Sequence, residues 1–112
     1  MSARFTGKLA ELVLGATGWE PLREGVRALR MWGDARGGPS VALLSYDAGA
    51  QVPRHRHTGF ELIYVLSGSQ SDERGTYPAG SLVINPEGEE HSVRSEEGCV
   101  VLIVWERPVE FV

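Results

Sequence analysis

Histidine and cysteine are scarce in this sequence, with three of the first and one of the second among 112 residues. A lone Cys99 rules out an internal disulfide, which suits a reducing compartment, and its preferred reading is a small apolar residue inside a strand rather than a redox or ligand group. No run approaches the roughly 20 consecutive apolar residues of a membrane-spanning helix. Residues Met1 to Ala10 also lack the charged, apolar and small-residue succession of a cleaved signal, so the expectation is a cytoplasmic protein with no membrane partner. Eleven basic residues face 15 acidic ones, for a net charge of -4, and Arg23, Arg27 and Arg30 are scattered. Without a concentrated positive surface to displace counterions, nucleic acid is not an expected partner. Helical periodicity is nearly missing too: Lys8 to Leu14 hold the one plausible helical turn or two, ended by Gly15 and Gly18.

What is present is a series of short extended segments. Gly25 to Trp32 alternates apolar with charged residues, as a half-exposed strand does, before the turn cluster Gly33 to Pro39. Ser40 to Tyr46 reads as a second strand, and Glu61 to Leu66 as an apolar one turned by Ser67-Gly68. Asp72-Glu73-Arg74-Gly75 has the composition of a hairpin tip, after which Thr76-Tyr77, Gly80 to Asn85, His91 to Arg94 and Cys99 to Trp105 look extended. Turn signals about every ten residues predict an all-β antiparallel sandwich or barrel. The length supports one core, so a single domain over 1–112 is expected, with residues 1–18 an N-terminal arm or short helix and residues 19–107 the barrel. Leu62 to Leu66 and Val100 to Trp105 are apolar on both faces, which predicts that a second copy covers one of them in a homodimer.

All three histidines fall inside two spaced motifs. Gly49 is followed after five residues by His55-Arg56-His57, then by Glu61 and, after six more, by Gly68; Gly80 is followed after five by Pro86-Glu87-Gly88, then by His91. Two residues apart on an extended strand, His55 and His57 leave the same face, and Glu61 returns to it if the strand resumes in register after Thr58-Gly59. His91 has to arrive from a distant strand. Three neutral imidazoles and a carboxylate suit one divalent transition metal ion, zinc, iron(II), manganese or nickel, and do not suit calcium or magnesium. The acidic run Glu87, Glu89, Glu90, Glu96 and Glu97 reads as solvated loop charge, with one of them a candidate partner for the His91 ring.

These motifs are similar to the paired signatures of the cupin superfamily, and every defined position but the last is filled: the family pattern ends in Asn where this chain has Ser95. The resemblance implies a double-stranded β-helix, the jelly roll of an RmlC-like cupin barrel, with His55, His57, Glu61 and His91 as metal ligands on its inner wall. From Trp19 to about Trp105, and above all in Tyr46 to His57, Gly68 to Ser81 and Glu96 to Cys99, the chain resembles the C-terminal cupin domain of ChrR-type zinc-binding anti-sigma factors. That family's N-terminal helical domain, which grips the sigma factor, has no counterpart in the sequence, so sigma-factor inhibition is not carried over.

A centre with three histidines and one glutamate leaves coordination positions for water or substrate. Two functions follow. One is a metal-dependent enzyme, dioxygenase-like or of isomerase type, acting on a small aromatic or carbonyl compound; the other is a non-enzymatic zinc-binding sensor or regulatory module. The inward-facing candidates for a small-molecule pocket are Ile63, Val65, Val93, Trp32, Tyr46 and Trp105, and no residue stands out as a separate catalytic acid or base.

Overall fold

Short Val-, Ile- and Leu-rich segments cut by glycine turns can bury an apolar face only by pairing into sheets. In the computed structural model, which describes residues 2–7, 9, 17–33 and 37–112, they do so as ten antiparallel strands. These are β1 (Glu20–Arg23), β2 (Val26–Gly33), β3 (Ser40–Tyr46), β4 (Gln51–Arg56), β5 (Glu61–Asp72), β6 (Gly75–Pro78), β7 (Leu82–Asn85), β8 (Glu90–Arg94), β9 (Cys99–Trp105) and β10 (Glu110–Phe111). The order across the curled sheet is β1-β2-β3-β9-β5-β8-β4-β10, with β6 and β7 also paired to β5. The helical turn read at Lys8 to Leu14 lies outside the described residues except for Leu9, as does the middle of the Gly33 to Pro39 turn.

Inward-pointing Val26, Ala28, Ala42, Leu44, Ile63, Val65, Val101 and Ile103 build the core of the first layer, and Val93 closes it from the second. Strand β5 joins the layers. Its first half pairs with β9 and β7, and its second half with β6 and β8. The sequence reading placed a turn at Ser67-Gly68, whereas the chain stays extended there and bends. The register against β9 slips between Val65 and Ser67, and Gly68 takes a φ of 71°. A Cβ on Gly68 would stand 2.0 Å from the Gly98 carbonyl oxygen, so the bend is a bulge that only glycine fits. The ladder also runs past residue 107, because β10 pairs with β4.

The outer face of the first layer carries two rows of large apolar side chains across five strands. One row runs Trp32, Val41, Val104, Leu62, Ile84, and its neighbour runs Leu29, Leu43, Leu102, Tyr64, Leu82. Trp32 belongs to the outer row because the β2–β3 register slips between Arg30 and Trp32. One extra residue reverses the face of everything beyond it, so Arg30 points inward and Trp32 outward, against the plain alternation that placed Trp32 in the pocket.

Gly68→Ala should cost about 2–4 kcal/mol of folding free energy, from the positive φ and the backbone overlap together. Chemical denaturation of the variant measures this, and an unchanged midpoint would rule out the strained bulge.

Candidate metal centre

Strand β4 reaches the centre through another slip. Val52 pairs with Val93, but His55 pairs with His91, so one residue more is spent on β4 than on β8, around Pro53. Proline has no amide hydrogen to lose from the ladder there, and the slip turns both Val52 and His55 inward. His57 lies just beyond the strand. Its backbone stays anchored, its N–H donating to the Glu89 carbonyl at 3.0 Å and its own carbonyl accepting from the Gly88 N–H at 2.7 Å. The positive φ of Gly88, 90°, shapes that turn. Glu61 opens β5 on the far side of Thr58-Gly59-Phe60.

The three rings converge. Centroids of His55 and His91 are 4.6 Å apart, those of His57 and His91 4.7 Å, and those of His55 and His57 5.3 Å. One ring nitrogen from each lies within 4.8 Å of the others, so the trio could hold a metal ion. Cupins commonly bind one. All three rings and Glu61 are buried, at 4% exposure or less. Glu61 Oε1 stands 3.0 Å from His57 Nε2 and 3.8 Å from His91 Nε2.

Hydrogen bonding outside the cluster sets which nitrogen faces inward. His55 Nδ1 lies 2.9 Å from the Pro53 carbonyl, which can only accept, so Nδ1 carries the proton and the Nε2 lone pair is left free. His91 Nδ1 lies 3.1 Å from Asp72 Oδ2, with the same result. Asp72 is itself fixed by the Tyr77 hydroxyl and the Arg74 amide, each donating to Oδ1 at 2.8 Å. Trp105 Nε1–H donates to Glu61 Oε2 at 2.8 Å and Asn85 Nδ2 donates to Oε1 at 3.3 Å, so the carboxylate is held from behind. Both ring nitrogens of His57 and Nε2 of His91 have no hydrogen-bond partner. The 3.0 Å approach of His57 Nε2 to Glu61 thus lacks hydrogen-bond geometry, as befits two donors aimed at a common point. Buried polar atoms left unpaired cost about 1–3 kcal/mol each, which an ion bound between them would offset.

Burial pushes the His55 pKa below its ordinary 6.5, helped by His91 and His57 and opposed by the Pro53 carbonyl and Glu61. Burial works to raise Glu61, but the three histidines around it outweigh that and hold its carboxyl below the usual range. Both shifts favour the protonation states a cation needs, neutral imidazole and ionised carboxylate. Burial likewise raises the Cys99 thiol, so it stays protonated near neutrality, in keeping with a strand-core cysteine.

A cavity of about 280 Å³ opens beside the cluster, with His55, Glu61 and His91 in its wall. Of the pocket candidates read from the sequence, Tyr46, Ile63, Val93 and Trp105 line it. Val65 is fully buried in the core behind it, and Trp32 is 43% exposed on the outer face. The residue beside the His91 ring is Asp72, not a member of the Glu87 to Glu97 run, where Glu89 and Glu90 instead pair with Arg74 and Arg54. Asp72 was masked by its place at a hairpin tip. Phe111, whose ring centroid lies 5.9 Å from that of His55, and the cavity-lining Arg23, Arg30 and Gln70 gave no signal in the sequence. Ser95, at the position of the family's Asn, is fully buried and donates to the Ser69 carbonyl at 2.6 Å, a structural role remote from the ligands.

Asp72→Asn sets an amide N–H against His91 Nδ1–H and favours the tautomer with its proton on Nε2. It should weaken zinc binding about 10- to 100-fold in competition with a chromophoric chelator. Unchanged affinity would remove Asp72 from the centre.

A profile for the ChrR cupin-like domain family matches residues 12–110. The anti-sigma-E factor ChrR of Cereibacter sphaeroides is 35% identical over 96 residues, which cover 83% of this chain and 44% of that protein. The chain therefore spans less than half the length of that relative. The crystal structure of Rhodobacter sphaeroides SigE in complex with the anti-sigma ChrR aligns with a TM-score of 0.72 and 32% identity over 82% of this chain and 50% of the other. An acetylacetone dioxygenase from Acinetobacter johnsonii has the same fold, with a TM-score of 0.79 over 100% of this chain and 80% of its own at 16% identity.

Proposed function

The chain belongs to the ChrR cupin-like family, and on that premise we propose that it is a metal-dependent enzyme, of oxygenase or isomerase type, acting on a small aromatic or carbonyl compound. The ligands of this reading are His55, His57, Glu61 and His91, and the ion is zinc, iron, manganese or nickel. The observation that carries it is the buried cluster with unpartnered imidazole nitrogens on His57 and His91, whose members His55, Glu61 and His91 stand in the wall of a largely apolar cavity. Structural metal sites are closed by protein ligands, while reactive ones keep a position open to a small molecule. An ion bound here would supply Lewis acidity or redox chemistry. The chain's own part is to orient and to exclude water. Pro53 and Asp72 hold two imidazoles in the ligating tautomer, and Trp105 and Asn85 hold the carboxylate. Burial raises the Tyr46 phenol well above its ordinary value, with Cys99 and Glu61 adding to the shift, so at neutral pH it serves the cavity as a neutral hydroxyl and not as a base.

A second reading is a non-enzymatic zinc-binding sensor or regulatory module in the cytoplasm. The 35% identity to an anti-sigma factor favours it. Protein purified without added metal should contain about one equivalent of transition metal per chain, lost in His55→Ala/His57→Ala, by elemental analysis. With iron, manganese or nickel, turnover or oxygen uptake on small carbonyl or aromatic compounds, absent from the double variant, supports the enzyme. Zinc with no turnover, but with ligand-dependent melting, supports the sensor. No metal in either protein excludes both.

We also infer that a second copy of the chain covers the outer apolar rows, where Tyr64, Leu82 and Ile84 are 39%, 57% and 61% exposed. Sedimentation should show a dimer that Ile84→Glu converts to monomer without loss of metal. A monomeric parent protein would exclude this.

A further inference from the structure

The cavity is apolar over most of its wall, yet two arginines line it, the half-buried Arg23 and the exposed Arg30. Arg30 reaches it because it shares the inner face with Val26 and Ala28, ahead of the slip that turns Trp32 outward. Arg23 stands at the other side with its guanidinium carbon 4.8 Å from the centre of the Phe111 ring. Acidic residues outnumber basic ones in this chain, and Arg27, Arg54, Arg56, Arg74 and Arg94 each sit against a carboxylate. Arg23 and Arg30 have no carboxylate partner among the described residues.

The inner rows give the cavity a polarity. Ile63, Ile103, Ala42 and Arg30 follow one another across β5, β9, β3 and β2, so three ladder steps, about 14 Å of backbone, separate the strand of Glu61 from the strand of Arg30. One end offers the imidazole cluster, the other Arg30, and Leu44, Val93 and Ile103 line the space between. A volume near 280 Å³ is at the small end of ligand cavities, which run roughly 300–1,000 Å³, so nucleotides and long chains are excluded.

We propose that this cavity binds a small organic monocarboxylate with an apolar body, its carboxylate paired with Arg30 and its body lying over Leu44 and Ile103 toward the histidines. Guanidinium matches a carboxylate by two parallel hydrogen bonds, and the apolar wall repels a ligand that is charged along its length. Arg23 adds positive potential without direct pairing, being engaged with Phe111. The proposal names the substrate or ligand class of the metal centre proposed above, yet its recognition element is Arg30, which is not a metal ligand.

The test is calorimetric titration of the purified protein, metal-loaded and metal-stripped, with butyrate, hexanoate, benzoate and phenylacetate, and with benzamide as the uncharged counterpart of benzoate. At least one carboxylate should bind, and benzoate should bind more tightly than benzamide. Arg30→Met should weaken the best carboxylate about tenfold or more, as losing a charge-assisted hydrogen bond implies. Arg30→Lys should restore part of the loss, and metal content should be the same in all three proteins. Binding unchanged in Arg30→Met, equal binding of benzoate and benzamide, or no binding of any carboxylate at millimolar concentration would each overturn the proposal. Because affinity is read in both metal states and metal content separately, failure of the metal reading leaves this result interpretable by itself.

Discussion

Three imidazoles and a carboxylate are packed out of water at the meeting point of two sheet layers, and the surrounding structure answers the demands of that burial. A buried ring nitrogen needs a partner, and the chain provides one for only some of them: the Pro53 carbonyl for His55 and Asp72 for His91. The nitrogens that remain face one another and Glu61. Trp105 and Asn85 occupy the outer sides of that carboxylate, so its free approach is toward the rings. Contacts made from outside leave inward-facing nitrogens and a carboxylate gathered in a group that could hold a cation.

Family membership and chemistry bear on different parts of this molecule. Kinship with the ChrR cupin-like domain is carried by sequence along nearly the whole described barrel, whereas the likeness to acetylacetone dioxygenase is one of fold. The cavity walls carry the chemistry that a ligand would meet. They are set by inward positions on β1, β2, β3, β8 and β9, mostly apolar with two arginines among them.

Much of the barrel was legible in the sequence because alternation and turn residues are strong signals. The segments Ser40 to Tyr46 and Cys99 to Trp105 match β3 and β9 end to end, and the convergence of His55, His57 and His91 followed from motif spacing. What could not be read was parity. Slips at Met31, near Pro53 and at Leu66 each shift a strand by one residue relative to its partner, and a single residue exchanges inside for outside. Trp32 was therefore placed in the pocket, though it lies on the outer face. Nothing local in Arg-Met-Trp announces a bulge, since its cause is the register of the partner strand. Asp72 escaped for a related reason: a turn-forming residue and a hydrogen-bond partner for a remote imidazole have the same composition, and only the folded hairpin brings it to His91. Short β1 and β10 lack the length for any periodic signal.

Strand β5 has Glu61 as its first residue and Asp72 as its last, and both reach the same group of rings, one directly and the other through His91. Two ends of a 12-residue strand, roughly 40 Å if straight, meet one small cluster only because the strand is folded over at Gly68. The cluster is thus the clasp of a bent spring. Whatever occupies the space between the imidazoles ties both halves of β5, and with them both layers of the barrel, so tension there is felt along the entire strand.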